Sequence, residues 1–338
     1  MNLKDRKKRG QFWLGMGISG ISLAAIFFFI EPKAILEALK TARYGYLALS
    51  GAGLVAFMIF RAVRWRFMLN DDIPLRQVFH IQNIGYMLTM LLPFRIGDVA
   101  RAVLIGNVPP ITLARGVSTM VVERILDMMF IIAMLPFTLA EVETLPSWMQ
   151  TGARGFGIAA LGAIVILIVA ANQRPFAQRI AIFIFNRMAF LNTEAWARRV
   201  DDLLAGLKSL TRLKDGFILL VLSILVWLPI IFAYYMTMTA VNIQPTWAMA
   251  GFVVCAAAFS VAAPSSPGQV GVFHAAVTVA LTQVLHQPEG ASTSFAFLYH
   301  ALNMLTMVAL GLVGLTGAGA TFGQVVASAQ GFMRRDKH

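Results

Sequence analysis

The sequence lacks most of what soluble enzymes are built from. It has one cysteine, Cys255, set in an apolar run, so there is no disulfide framework and no thiolate metal site. Cys255 reads as a small core residue. No Ser/His/Asp spacing, zinc motif, phosphate loop or dinucleotide fingerprint is present, so no catalytic residue, metal or cofactor is expected. Charge is scarce too: 13% of 338 residues, with 16 acids against 28 Lys and Arg. Between residues 215 and 333 there is no Lys or Arg at all.

Long apolar runs take the place of charge. The chain is 58% hydrophobic with a mean hydropathy of +0.73, which is the composition of a membrane protein and not of a soluble domain with a large core. A net charge of +12 would suggest nucleic acid in a soluble protein. Here the basic residues lie mostly between apolar runs, as membrane topology requires, so nucleic acid is not an expected partner and anionic lipid headgroups are.

Taken in order, five basic residues from Lys4 to Arg9 precede an apolar run, Gln11 to Ile30, with no small-residue cleavage site after it. This predicts an uncleaved first span with a cytoplasmic N-terminus. Residues 31–43 fit a short interfacial helix. Tyr44 to Arg61 returns inward and is expected to deliver Arg61, Arg64, Arg66 and Arg76 to the cytoplasmic side, with Trp65 as an interface anchor. Two short pieces follow, Gln77 to Leu92 and Ile96 to Val108. At about 24 and 20 Å each falls short of a hydrocarbon core of about 30 Å, which predicts a hairpin that enters and leaves by the inner face. Leu113 to Ala140 crosses outward and Gly155 to Ala171 inward.

Residues 173–215 hold eight Lys or Arg against four acids and read as a cytoplasmic amphipathic segment. Gly216 to Val241 crosses next, with Pro229 as a kink. Trp247 to Ala263 and Gly268 to Leu285, separated by Pro264-Ser265-Ser266-Pro267, form a second hairpin from the outer face. Thr293 to Phe322 then returns to a cytoplasmic C-terminus. This topology places 23 of the 28 Lys and Arg on the inner side or in the inner hairpin.

The expected fold is thus an all-α polytopic membrane protein with about six full spans and two helical re-entrant hairpins. Residues 1–338 form one transmembrane domain, and the halves 44–140 and 216–323 are inverted copies. Pro93 and Gly97 have the same spacing as Pro267 and Gly271. Paired hairpins around a midplane site are a transporter arrangement. The alternative is that these Pro and Gly residues simply kink ordinary spans.

Polar groups inside the runs are the candidate site. Leu88 to Leu104 breaks at Pro93 and presents Arg95, Asp98 and Arg101 at three-residue steps on one helical face, where Gly97 lets another backbone approach. An ionised group at membrane depth costs at least about 2.5–3.5 kcal/mol unless compensated. Glu123 and Asp127 share a face in the next span, and Arg124 can pair with Asp127. They either bind a cation or proton, answer the hairpin arginines, or hold the hairpin to the span. His274 and His300, the latter sharing a face with Asn303, are either proton-titrating groups or packing groups. Ser265 and Ser266 either contact a headgroup or satisfy freed backbone.

The motifs RAVRWRFML at 61–69, NIGYMLTMLLPFRIGDVARAVLI at 83–105, VERILD at 122–127 and APSSPGQVGVFHAA at 263–276 together resemble the transmembrane domain of the lysylphosphatidylglycerol synthase and flippase family. The resemblance covers almost the whole chain. It implies a lipid transporter of the plasma membrane that moves an anionic or modified phospholipid, or another amphiphile, between leaflets, with membrane phospholipids as partners. By motif, it carries Arg95, Asp98, Arg101, Glu123, Arg124, Asp127, Pro267, Gly268 and Gly271 over as functional positions, with Pro93, Gly97, Pro264 and Pro267 as helix breaks. Two positions depart from the family pattern: His274 stands where relatives carry Glu, and Gln269 where they carry Gly. The soluble aminoacyl-transferase domain of the full-length synthases is not in this sequence, which argues against lipid aminoacylation and for a protein that is not an enzyme. Two rivals remain. One is an integral-membrane transferase acting on a phospholipid or polyprenyl-phosphate, with Asp98, Glu123 and Asp127 on a divalent metal; the other is a non-lipid solute or ion transporter.

Overall fold

A computed structural model describes residues 32–70, 73–92, 96–139, 213–262, 267–319 and 321–326, and within them the apolar runs are helices with no strand. In chain order these are α1 (Pro32–Thr41), α2 (Tyr44–Met68), α3 (Leu75–Leu91), α4 (Ile96–Gly106), α5 (Leu113–Leu139), α6 (Leu213–Ala240), α7 (Trp247–Ala262), α8 (Val272–Val279) and α9 (Glu289–Gly317). A single 3-10 turn, Pro267–Gln269, precedes α8, and a π turn, Ala280–Val284, follows it. Three of the helices, α2, α6 and α9, are long and apolar enough to cross a membrane. α5 has comparable length, 27 residues, but carries Glu123, Arg124 and Asp127. The first span at 11–30, the span at 155–171, the segment 173–212 and both chain ends lie outside the described residues.

Helix ends fall where local chemistry puts them. Pro74 and Pro288 stand at the N-caps of α3 and α9 with φ of −58° and −56°, where a missing N–H removes no helical hydrogen bond. Leu92 ends α3 in an extended conformation, φ −118° and ψ 146°, because the ring of the following Pro93 disfavours helix in its predecessor. The second break is made differently. Gly268, Gln269 and Gly271 have φ of 65°, 61° and 88°. Glycine accepts left-handed backbone without steric cost, whereas Gln269 gives up on the order of 1 kcal/mol there. The expected boundaries of α3, α4, α5 and α7 agree with these helices to within about two residues. α9 instead starts earlier, at Glu289, because Pro288 caps it, and ends earlier, at Gly317, where Ala318 and Gly319 turn the chain.

α3 and α4 fold back on each other as a helical hairpin. Gly85 faces Gly97 across it: a Cβ at Gly97 would stand 2.6 Å from the Thr89 backbone nitrogen, and one at Gly85 2.6 Å from Arg101 Cδ. The approach that Gly97 suggests in sequence is therefore made, and it is backbone to backbone. α7 and α8 pack on each other after the second break. The two breaks also meet, since the Cβ position of Gly268 lies 3.4 Å from the Met90 carbonyl oxygen at the end of α3.

Long helices pair antiparallel. Ser50 bonds the Ala233 carbonyl at 2.9 Å and Thr237 Oγ1 at 2.8 Å, while Arg64, further along α2, reaches back to Ser223 on α6. Likewise α9 crosses α3 with Gly311 at Met87 and Gly317 at His80, and α5 crosses α7 with Cys255 Sγ donating to the Ile131 carbonyl at 3.7 Å and Thr138 at Gly251. Cys255 is the buried core residue expected. One regularity runs through these contacts. Exchanging α2 with α6, α3 with α7, α4 with α8 and α5 with α9 maps the contacting pairs among these eight helices onto themselves: α3·α9 becomes α7·α5, α4·α5 becomes α8·α9, and α2·α6 is unchanged.

Close approach at the first hairpin sets a test of the fold. Gly97→Val should lower thermal stability of the detergent-solubilised protein by overpacking, by about 1–3 kcal/mol. An unchanged melting temperature would mean that α3 and α4 are not in backbone contact.

Candidate functional site: a buried guanidinium and carboxylate cluster

Five helices each contribute to one ionic cluster. α2 brings Arg61 and Arg64 at i,i+3, and Trp65 beside them; α3 brings Tyr86, α4 Arg101, α5 Glu123 and Asp127 at i,i+4, and α6 Ser223. Arg101 donates to Glu123 Oε2 at 2.9 Å, and Arg61 Nη2 donates to Glu123 Oε1 and, at 2.8 Å, to Asp127 Oδ2. Arg64 donates to Asp127 Oδ1 at 2.6 Å and to Ser223 Oγ at 3.2 Å. Tyr86 donates its hydroxyl to Glu123 Oε1 at 3.1 Å and accepts from Arg101 at 3.4 Å. Every oxygen of the two carboxylates thereby accepts at least one hydrogen bond.

Aromatic rings hold the guanidinium planes. Arg101 lies 4.4 Å from the Trp65 ring and 5.1 Å from that of Tyr86, and Arg61 lies 5.3 and 5.2 Å from those of Phe57 and Tyr86. Stacking of this kind suits the planar, weakly hydrated guanidinium and would be lost with lysine. Trp65 is fully buried and donates Nε1–H to Thr119 Oγ1 at 3.0 Å, which fixes the ring under Arg101. The residue expected as an interface anchor is thus a packing platform.

Burial is nearly complete: Arg64 is 0%, Arg101 1% and Glu123 2% exposed. Among the described residues three guanidinium groups face two carboxylates, an excess of one positive charge. The Nε atoms of Arg61, Arg64 and Arg101 are buried with no hydrogen-bond partner among the described residues. At the edge of the cluster Arg124 donates to Asp98 Oδ1 and Oδ2, both at 3.3 Å. This outer pair is partly open, with side-chain exposures of 44% and 23%.

Several expectations need correcting. Arg61 and Arg64 do not emerge on a cytoplasmic surface: α2 runs on to Met68, and both residues turn inward to meet acids of α5. Arg124 pairs with Asp98 across the hairpin, not with Asp127, because Asp127 is already taken by Arg61 and Arg64. Asp98 and Arg101 sit three residues apart yet diverge, one to the edge and one to the interior. Arg95, Pro93, Pro264, Ser265 and Ser266 lie outside the described residues. Sequence reading passed over Arg61, Arg64, Tyr86 and Ser223 as site residues. The available signal for the two arginines was their i,i+3 spacing in a helix that had no reason to stop at residue 61.

The second half gathers its own group. His274 and His300, singled out separately, face each other with ring centroids 4.8 Å apart, and Phe273 stands 5.2 Å from His300. His274 Nδ1 accepts the Gly271 N–H at 3.3 Å. Gly268 brings the second break within 4.0 Å of His300 Nε2, measured from its Cβ position, so Gly268, Gly271, His274 and His300 form one neighbourhood. Asn303 is half-buried.

A family model described as the lysylphosphatidylglycerol synthase TM region matches residues 12–311, and so takes in the hairpin, the ionic cluster and the histidine pair. The chain belongs to that family. It is a multi-pass membrane protein of the kind related to lysylphosphatidylglycerol synthases. No curated protein and no solved structure matches it.

In this family member two carboxylates stand against three buried cations, so removing one raises the excess of buried positive charge from one to two. Glu123→Ala should cost about 3–5 kcal/mol of stability, against far less for the double variant Glu123→Leu/Arg101→Leu relative to the sum of its parts. Thermal unfolding in detergent measures both, and additive effects would show that the pair is not coupled.

Proposed function

We propose that this protein moves a phospholipid with an anionic phosphate headgroup between the leaflets of the plasma membrane, through a site bounded by two re-entrant hairpins that belong to an inverted repeat. The observation that carries the reading is the excess of guanidinium over carboxylate in the cluster, together with the partly open Arg124–Asp98 pair at its edge. Arg124 is in electrostatic reach of Tyr86, Glu123 and Arg61, so an anion arriving there joins the cluster and does not sit alone. A phosphate offers pairs of oxygens that the planar guanidinium fork holds bidentately, and would compete with Asp98 for Arg124.

Three features support movement in preference to static binding. The contact pattern survives exchange of the two sets of four helices while α2 and α6, which exchange with each other, run antiparallel; a two-fold lying in the membrane plane would produce both. Each hairpin is broken by residues with a backbone reason to break, Pro93 in one and Gly268 and Gly271 in the other. The breaks touch at Met90 and Gly268, so displacement of one hairpin is felt by the other. Broken helices at membrane depth are tolerated where protein or a wet site covers them.

The transferase alternative asks Asp98, Glu123 and Asp127 to hold a divalent cation. In this arrangement Glu123 and Asp127 are spent on arginines, and Asp98 faces Arg124. A metal on all three acids would have to displace four guanidinium groups, those of Arg61, Arg64, Arg101 and Arg124, which favours transport.

The test uses the full chain in phosphatidylcholine vesicles carrying a headgroup-fluorescent phosphatidylglycerol, with inner and outer leaflets resolved by an impermeant quencher. Arg124→Gln removes an edge charge whose ion pair is worth at most about 1 kcal/mol to stability, so the protein should remain folded. Loss of one charge-assisted contact to phosphate, about 1.5–3 kcal/mol, should slow lipid movement by about tenfold or more. Arg95→Ala should likewise abolish movement while leaving the protein in the membrane. Wild-type rates in both variants, or no lipid movement by the wild type, would refute the proposal.

A further inference from the structure

The second hairpin holds a titratable pair that the arginine cluster does not use. His274 lies at the third position of α8, half-buried, and its Nδ1 accepts the backbone N–H of Gly271, the residue at the N-cap of that helix. Neutral His274 with Nδ1 as acceptor carries its hydrogen on Nε2. A proton added at Nδ1 turns the acceptor into a donor, and the Gly271 N–H then faces an N–H. The bond must open. What it opens is a turn in which Gly268, Gln269 and Gly271 all have positive φ, Gln269 being the residue that is strained there.

His300 completes the pair. It is 4% exposed, its Nε2 has no hydrogen-bond partner among the described residues, and its ring lies 4.8 Å from that of His274. Among the described residues the surroundings contain no carboxylate or basic group that would take or balance the proton. α7 and α8 carry no Asp, Glu, Lys or Arg, and Glu289 is the one such residue of α9, at its far end. The other described titratable groups nearby are the phenols of Tyr299 on α9 and Tyr234 on α6, whose ring centroids lie 4.1 Å apart with the planes tilted by 49°. From α2, Gly51 meets α9 at this level beside Leu302, well before Arg61; from α3 the neighbour of the turn is the Met90 carbonyl. His286 lies beyond the π turn, at the opposite end of α8. His274 lies 4.6 Å from Phe297 and 5.7 Å from Phe273, ring to ring.

We propose that His274 and His300 bind a single proton, and that its arrival at His274 Nδ1 releases the Gly271 cap and re-folds the 267–271 turn against the end of α3. The proton enters from water at the half-buried His274. Two adjacent imidazoles that share one charge resist a second. The released turn is the part of the second hairpin that touches the first at Met90, so the proton acts on the contact between the two breaks. The inference rests on the transport reading above for its consequence, coupling of lipid movement to a pH gradient. The proton site itself does not depend on that reading.

Two measurements separate these levels. In purified full-length protein, amide exchange of the peptide spanning residues 267–276, corrected for the intrinsic effect of pH, should rise by about tenfold per unit of acidification through the titration, because one proton per pH unit shifts an equilibrium tenfold. His274→Asn keeps an acceptor for the Gly271 N–H but cannot be protonated, and its exchange should not respond. An unresponsive wild-type turn, or a variant that responds as the wild type does, overturns the proposal whatever the lipid assay reports. In the vesicles described above, the ratio of lipid movement rates at acid and alkaline pH should collapse to about one in His274→Asn, whatever the absolute rate. A retained pH ratio overturns the coupling and leaves lipid transport standing. A responsive turn in a protein that moves no lipid removes the transport reading and leaves the proton site.

Discussion

A charge placed in hydrocarbon has to be met by another charge, and in this protein that constraint falls on five helices at once. Arg61 and Arg64 on α2, Arg101 on α4, and Glu123 and Asp127 on α5 can be buried only because each has its partner on a different helix. Tyr86 and Ser223 take up further donors and acceptors from α3 and α6. The cluster is therefore a positional device as well as a chemical one. None of α2, α4 and α5 can be shifted by a turn without leaving an ion unpaired in a medium where that costs several kcal/mol.

Packing at the first hairpin follows from the same demand. Arg101 reaches Glu123 with its aliphatic carbons against Gly85, and Gly97 brings α4 close enough to α3 for that reach to be made. Trp65 then covers the guanidinium plane, and Thr119 holds Trp65. Small residues where backbones meet and flat residues where cations lie are two solutions to one problem: in a membrane, helix association depends on close fit and polar contacts more than on excluding water. The second half solves it with almost no ions. α8 meets α9 through rings, Phe273, His274, Tyr299 and His300, and the turn before it brings Gly268 to His300. The halves share their pattern of contacts and differ in their chemistry, ionic on one side and imidazole and aromatic on the other.

Much of the secondary structure could be read directly. The apolar runs on either side of Pro93 became helices with nearly the expected limits, because proline acts on the backbone locally and needs no distant partner, whereas Pro288 set the start of α9 four residues before the expected one. Glu123 and Asp127 were legible as site residues for a similar reason, since carboxylates in an apolar span have few bland explanations. The pairing was not legible. Arg124 is nearest Asp127 along its own helix, yet it reaches across to Asp98, while Asp127 goes to α2. Trp65 looked like an interface residue because it sits among arginines, and those arginines turned out to be interior.

By itself, then, the sequence determined that the chain is a membrane protein, where its helices begin and break, and that charged and imidazole groups had to lie within apolar surroundings. These are consequences of local backbone chemistry and of composition. Only the tertiary structure decided which cation meets which anion, that Arg61 and Arg64 belong to the interior, that His274 faces His300, and that the two breaks touch. The physical reason is that an ion or an imidazole is indifferent to sequence distance. Its partner is whichever group the crossing of two helices brings within about 3 Å, and that crossing is set by glycines and ring faces far from either residue.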